Sequence, residues 1–139
     1  MSGRLREKSL EDYGISKNRY YELRAFCMQY EEKKSKIRKI KEEMSMQNIG
    51  YQKDCEMIEK AAVFASDMIY PYILKSVTND LSYMFLEYDE KLGRIPVGKT
   101  EFYAIRRLFY HYLDKMQTGT KWGCSNDTMM SSGKRKAAS

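Results

Sequence analysis

The chain has 139 residues, with 25 Lys and Arg against 19 Asp and Glu, a formal net charge of +6 and a pI near 9.1. This length supports one modest domain, or two small helical subdomains that share a core, and argues against an enzyme with a deep cleft. The positive charge favours polyanionic partners without requiring them. Two prolines and eight glycines leave little material for tight β-turns, so we expect an all-α fold.

The cysteines and the apolar runs exclude several classes of protein. Cys27, Cys55 and Cys124 are odd in number, far apart and without a Cys-x-x-Cys pair, so they indicate neither a disulfide framework nor a zinc site. No apolar run approaches the roughly 20 residues of a membrane helix, and no signal-peptide pattern opens the chain. We therefore expect a cytoplasmic protein with reduced thiols, no cofactor, no metal and no membrane partner.

A long helix is predicted near the start of the chain. Gly14 suits a left-handed turn, and Ser16 suits the N-cap of a helix that begins at Lys17. Apolar residues then recur at spacings of three and four, interrupted only by Lys33. This pattern predicts one continuous helix that ends near Met46.

A second long helix is predicted after a short connection at residues 45–50, where Asn48 and Gly50 are turn residues. Its apolar positions again repeat at spacings of four and three, and Cys55 occupies one of them as a small hydrophobic residue. The two helices, within residues 9–70, can pack as an antiparallel hairpin or join another copy of the chain.

A run of basic residues in the first helix has two interpretations. The run comprises Lys33, Lys34, Lys36, Arg38, Lys39 and Lys41. Pairs with Glu31 and Glu32 at helical spacing would make it an ordinary solvated surface, which is the interpretation we favour. In the alternative, the run lies along a phosphate backbone.

Residues 71–117 are predicted to form a helix-turn-helix unit. Pro71 forces a break after the second long helix, because inside a helix it would remove a hydrogen bond and clash one turn back. The unit comprises short helices at residues 72–77 and 81–86, a connector at residues 89–95, and a longer helix from about residue 98 to Gly119. The connector is longer than the usual turn of about 3–4 residues in such units.

The longer helix carries the candidate functional residues. Spacing at 100° per residue gives it an apolar side formed by Phe102, Ile105, Phe109, Tyr112, Leu113 and Met116. The opposite side is predicted to hold Thr100, Tyr103, Ala104 and Arg107, flanked by Lys99, Arg106 and Tyr110. Such a helix offers cations to phosphates and hydrogen-bonding groups to base edges, although an ordinary amphipathic surface helix is an open alternative. His111, the only histidine, is expected on the outward side with no catalytic partner.

Residues 118–139 are predicted to be a disordered tail, because they are rich in Gly, Ser, Asn and Thr and have little periodicity. Lys134, Arg135 and Lys136 would add unspecific affinity for phosphates. Trp122 could alternatively pack back onto the domain.

Three segments carry a family resemblance: YGISKNRYYEL at 13–23, YILKSVT at 72–78 and IPVGKTEFYAIRRLF at 95–109. They resemble small proteins of Firmicutes phages and prophages grouped with the RinA/ArpU type of late transcription regulators. The C-terminal part of those regulators is similar to region 4 of bacterial sigma factors. The resemblance implies a helix-turn-helix whose recognition helix carries Lys99, Thr100, Tyr103, Arg106 and Arg107.

The sequence thus predicts a phage-derived regulator that binds double-stranded DNA in the bacterial cytoplasm. Thr100, Tyr103 and Arg107 would face the bases, and Lys99 and Arg106 the phosphates. The N-terminal hairpin would form a homodimer or contact RNA polymerase. The alternative is a phage protein that inhibits a host defence nuclease, in the manner of an anti-CRISPR, through the same helices. A packaging adaptor is a third possibility, and an enzyme is the least expected class.

Overall fold

A computed structural model describes residues 8–39 and 46–119. Within these residues the chain is mostly helical, with one two-stranded sheet, which confirms the all-α prediction. The helices are α1 (Lys17–Met28), α2 (Tyr30–Lys39), α3 (Met46–Ala65), α4 (Tyr70–Asn79), α5 (Tyr83–Leu86) and α6 (Lys99–Thr118), and the strands are β1 (Tyr88–Asp89) and β2 (Gly93–Arg94). Thr118 and Gly119, predicted to begin the tail, instead end α6 and cap it. The rest of the predicted tail, residues 120–139, lies outside the described residues, as does Lys41.

Three predicted helix ends are confirmed. The Ser16 hydroxyl accepts a hydrogen bond from the Arg19 N–H at 3.1 Å and so caps the start of α1. Pro71 stands in the first turn of α4, where its missing N–H costs no helical hydrogen bond. Gly119 ends α6 in the left-handed conformation, with φ at +75°.

The prediction of one continuous first helix is wrong, because the chain turns at Gln29 and forms two helices, α1 and α2. Gln29 has φ −90° and ψ 0°, and its N–H turns back to the carbonyl of Phe26 at 3.3 Å. On either side of this turn, α1 packs against α4 and α6, whereas α2 packs along α3. One straight helix could not lie against both sets of partners, so packing decides the break.

α2 and α3 form an antiparallel hairpin. Three contacts join early residues of α2 to late residues of α3 and the reverse: Tyr30 with Glu59, Lys33 with Asp54, and Lys36 with Tyr51. The connection predicted at residues 45–50 is wrong, because α3 begins at Met46 and includes Asn48 and Gly50. A helical glycine costs about 1 kcal/mol relative to alanine, a cost that packing along α2 offsets.

Three lysines of the basic run on α2 form ion pairs with carboxylates. Lys33 is buried, pairs with Asp54 at 2.9 Å and lies over the Phe26 ring at 4.4 Å. Lys34 pairs with Glu59 at 3.1 Å, and Lys36 pairs with Glu32 at 3.2 Å as the helical spacing predicted. The Lys36 pair fits the predicted solvated surface, whereas Lys33 and Lys34 are instead paired with α3, which the sequence did not predict. All three pairs leave fewer cations free for a phosphate backbone.

α6 is the central helix of the described structure. α1, α3, α4 and α5 all pack against it. Its buried residues are Phe102, Ala104, Ile105, Phe109, Tyr110 and Leu113. The outward position predicted for Ala104 and the boundary position predicted for Tyr110 are therefore wrong, because a helix covered on several sides has more than one apolar face.

Residues from both predicted segments, 9–70 and 71–117, enter one hydrophobic core. Its members include Leu23, Cys55, Ile58, Ile69, Ile73, Leu86 and Phe109. The burial of Cys55 confirms its predicted place in the helical seam. None of the described helices combines the length and the apolar character that a membrane span requires.

Two ion pairs fix α1 on this core. Arg19 donates from Nε to Asp114 at 2.7 Å and from a terminal nitrogen to Gln117 at 2.9 Å, which joins α1 to the end of α6. Arg24 pairs with Asp80 at 2.6 Å. Asp80 ends α4 with φ at +56°, so this second pair also holds the point where the chain leaves α4.

We predict that Phe109→Ala lowers the free energy of unfolding by about 3–5 kcal/mol, because it opens a cavity under the central helix. Phe85→Ala is the matched control, since Phe85 is exposed, and we expect it to change stability by less than about 0.5 kcal/mol. Urea denaturation measures both values. Equal stability of the two variants would contradict the central position of α6.

Candidate nucleic-acid interface

The start of α6 is open to solvent. Pro96 and Gly98 precede the helix, and Gly98 is extended, with φ −80° and ψ 176°, and provides no side-chain cap. Its carbonyl accepts the first helical hydrogen bond, from the Phe102 N–H at 2.9 Å. Lys99 and Thr100, both predicted contact residues, are exposed in this first turn. N–H groups that the N-cap residue leaves without a side-chain bond favour an anion, and the first turn carries both the cation Lys99 and the acidic residue Glu101.

The predicted contact residues Tyr103 and Arg106 are half-buried and hold neighbouring elements against α6. The Tyr103 hydroxyl accepts the backbone N–H of Tyr83 at 3.0 Å, at the start of α5. Arg106 lies over the Tyr103 ring at 5.6 Å and donates to the Ser76 hydroxyl at 3.1 Å. Ser76 in turn donates to the carbonyl of Leu81 at 2.7 Å. These two side chains therefore tie α4 and α5 to the central helix.

Arg107, the fifth predicted contact residue, meets the N-terminal segment. Its Nε donates to the carbonyl of Lys8 at 2.7 Å. The same segment is anchored by Ile15, which is buried in the core, and by Tyr13, which stacks on His111 at 4.7 Å. The structure thus brings Lys99 and Thr100 together at an open surface and engages the other three predicted residues in contacts within the chain.

His111 does not project into solvent as predicted, because residues 8–15 fold across α6 and cover its ring. Its Nδ1 is buried and has no hydrogen-bond partner in the part of the chain that the structure describes. Burial lowers the pKa of the imidazole, and the charges of Lys115 and Lys8 lower it further, against a smaller opposing effect of Asp114. The neutral form is therefore favoured.

The predicted connector at residues 89–95 is a small β-hairpin. Tyr88 pairs with Arg94 and Asp89 pairs with Gly93 in antiparallel register. Gly93 has φ at +84°, a conformation that favours glycine. Sequence reasoning missed this hairpin, although a glycine within a three- to five-residue loop between two short segments is a known hairpin signal.

The hairpin is held firmly on α4. The Asp89 carboxylate pairs with Lys75 and accepts the N–H groups of Lys91 at 2.8 Å and Leu92 at 3.0 Å. The Lys75 bond, followed by these two backbone bonds, lowers the pKa of Asp89 to about 2. The Tyr72 hydroxyl lies within 2.7–3.2 Å of the carbonyl oxygens of residues 92, 93 and 94. The hairpin is thus pre-organised at both its base and its tip.

Three exposed cations stand on this hairpin and on the nearby start of α6: Lys91, Arg94 and Lys99. Among the described residues none of them pairs with a carboxylate. Arg94 lies over the ring of Tyr88 at 5.5 Å. We call Lys91, Arg94, Lys99 and Thr100 the hairpin–helix surface. Its chemistry suits phosphate groups, with one hydroxyl available for a base edge.

The described residues offer little for catalysis. They contain no group of three or more His, Cys, Asp or Glu that could hold a metal ion. Cys27 and Cys55 are buried, and burial raises the pKa of both thiols, so neither is activated as a thiolate.

We predict that Arg106→Ala lowers the free energy of unfolding by about 1–2 kcal/mol, because it removes the bond to Ser76 and the contact with the Tyr103 ring. Lys99→Ala, the control, should stay within about 0.5 kcal/mol of the parent protein. Chemical denaturation compares the two. A neutral effect of Arg106→Ala would contradict its structural role.

We further predict that stability falls as the pH is lowered from about 7.5 to about 5.5. The pKa of His111 is lower in the folded state than in the unfolded state, so the unfolded chain takes up a proton first and its free energy falls relative to that of the folded chain. Thermal unfolding of the parent and of His111→Gln measures this effect. Because the sequence has a single histidine, the variant should lose the decrease, and identical pH profiles would refute the assignment.

The chain was compared with protein-family models, curated proteins and solved structures. No protein-family model, curated protein or solved structure matches the chain.

Proposed function

We propose that the chain is a phage-derived protein that binds double-stranded DNA at specific sequences and regulates transcription. The observation that carries this proposal is the hairpin–helix surface, where three exposed cations on the hairpin and in the first turn of α6 pair with no carboxylate among the described residues. DNA offers a dense row of phosphates to such a surface, and their neutralisation releases bound counterions. The formal net charge of +6 supports the same class of partner.

The surface suggests a division of roles among its residues. Lys91 and Arg94 stand on a hairpin fixed by Tyr72 and Lys75, so they can position phosphates with little loss of backbone freedom. Lys99 and the first N–H groups of α6 can hold a further phosphate. Thr100 can then reach a base edge, in line with the general use of the first residues of a recognition helix for base contacts.

The other predicted contacts have a narrower basis. Tyr103 and Arg106 support α4 and α5, and Arg107 is bound to the carbonyl of Lys8. Any of these three residues would have to leave such a contact before it could reach DNA. We therefore assign first contact with DNA to the hairpin–helix surface, and base contacts of Tyr103 and Arg107 remain predictions.

A second candidate function is inhibition of a host defence nuclease through protein contacts. The observation that favours it is a set of exposed apolar side chains around the end of α3: Val63, Phe64, Met68 and Tyr70. These four side chains lie within eight residues of one another along the chain, and clustered exposed apolar groups are typical of protein interfaces. In a regulator the same side chains would serve the homodimer or the contact with RNA polymerase that the sequence predicts.

Fluorescence anisotropy with duplex DNA tests the proposal. We predict that the combined change Lys91→Ala, Arg94→Ala and Lys99→Ala weakens binding and reduces the slope of log affinity against log salt by about 2–3, because about three phosphate contacts are lost. Lys17→Ala, Lys53→Ala and Lys60→Ala together form the matched control, since these exposed lysines lie elsewhere and remove the same charge.

Equal effects of the two triple variants would show that only net charge matters and would refute a specific surface. Genome-wide DNA capture with the tagged protein then separates the two candidate functions. One sharp site upstream of a block of genes supports the regulator. A complex with a host protein that survives nuclease treatment, without such a site, supports the inhibitor.

A further inference from the structure

Two apolar side chains on α5 project from the molecule next to the hairpin–helix surface. Met84 is 77% exposed and Phe85 is 76% exposed, more than any other large hydrophobic residue that the structure describes. Their neighbours in the same helix, Tyr83 and Leu86, are buried. The core therefore holds α5 by its outer two residues, and the two residues between them point outward.

The base from which these side chains project is fixed by several contacts. The Tyr83 hydroxyl donates to the carbonyl of Val97 at 3.0 Å, and its ring packs on Phe102 with centroids 5.5 Å apart. On the other side, the N–H of Ile95 donates to the carbonyl of Glu87 at 3.0 Å. Met84 and Phe85 thus stand on a short helix held against Phe102 of α6 and against the segment between β2 and α6.

The charges around the pair favour a polyanionic partner. Lys75 neutralises Asp89, which leaves the cations Lys91, Arg94 and Lys99 against the carboxylates Glu87, Glu90 and Glu101. All three cations are exposed, whereas Glu87 and Glu101 are half-buried and Glu90 alone among these carboxylates is exposed. Tyr88, on the first strand of the hairpin, is also exposed, and the Arg94 guanidinium lies 5.5 Å from the centroid of its ring. Protruding apolar groups are thereby placed beside groups that attract phosphates.

We propose that Phe85, with Met84 beside it, inserts between adjacent base pairs of double-stranded DNA and kinks the duplex. Phenylalanine and methionine are among the side chains that proteins use as such wedges, commonly from the minor groove. Insertion unstacks one step between base pairs. The helix that carries the wedge has to be rigid, because restacking of the base pairs would expel a mobile side chain. The kink brings flanking phosphates towards the three cations. This inference rests on the DNA-binding function proposed above.

The test uses two duplexes of about 30 base pairs, one fully paired and one with a central mismatch. A mismatch lowers the cost of unstacking, so the parent protein should bind the mismatched duplex about five- to tenfold more tightly. Dyes at the two ends should show increased energy transfer when the protein bends the duplex. Phe85→Ala should reduce the preference to about twofold or less and abolish the change in transfer.

Two control variants accompany this test. Phe85→Leu should retain both the preference and the bend, because leucine is also an effective wedge. Tyr21→Ala, which removes a half-exposed aromatic ring from α1, should behave as the parent protein. Unchanged thermal unfolding of Phe85→Ala verifies that the fold is intact.

Several results would overturn the wedge. If the parent protein binds both duplexes equally and does not bend them, the wedge fails while DNA binding stands. If it binds neither duplex, the proposed function fails and the wedge fails with it. Tighter binding to single-stranded DNA than to either duplex would point instead to unpaired bases as the ligand. Loss of a nuclease-resistant protein complex in Phe85→Ala, with DNA binding unchanged, would assign the surface to a protein.

Discussion

Burial of α6 on several sides is the constraint on which the rest of the structure depends. The apolar and aromatic side chains of this helix need cover from α1, α3, α4 and α5 at once. A helix covered in this way can offer solvent only its ends and narrow strips between its partners. The candidate binding surface therefore lies at the first turn of α6 and on the hairpin before it.

Helix content and several helix ends could be predicted because their causes are local. Ser16, Pro71 and Gly119 act through the backbone of their own turn, and three- and four-residue spacing needs no knowledge of the partner. The break at Gln29 and the helical state of Gly50 could not be read in this way. Both depend on which helix lies alongside, and tertiary packing outweighs local preference there.

The residues of the candidate site likewise fall into those whose position has a local cause and those whose position depends on distant parts of the chain. Exposure of Lys99 and Thr100 follows from the turn immediately before them. The engagement of Tyr103, Arg106 and Arg107 depends on groups that lie 20, 30 and 99 residues away along the chain. An amphipathic pattern predicts which side chains lie on the polar side of a helix. It does not predict whether solvent or a distant part of the chain supplies the hydrogen-bond partners of those side chains.

The attachment of the hairpin to α4 has a consequence for how this surface can diverge. Tyr72 meets the main-chain carbonyl groups of residues 92–94, and Asp89 accepts main-chain N–H groups of residues 91 and 92. The contacts that hold the hairpin on α4 therefore do not involve the side chains at positions 91, 92 and 94, whereas position 93 requires glycine because its φ is positive. Related chains could exchange these side chains, and with them their binding preference, without rebuilding the scaffold.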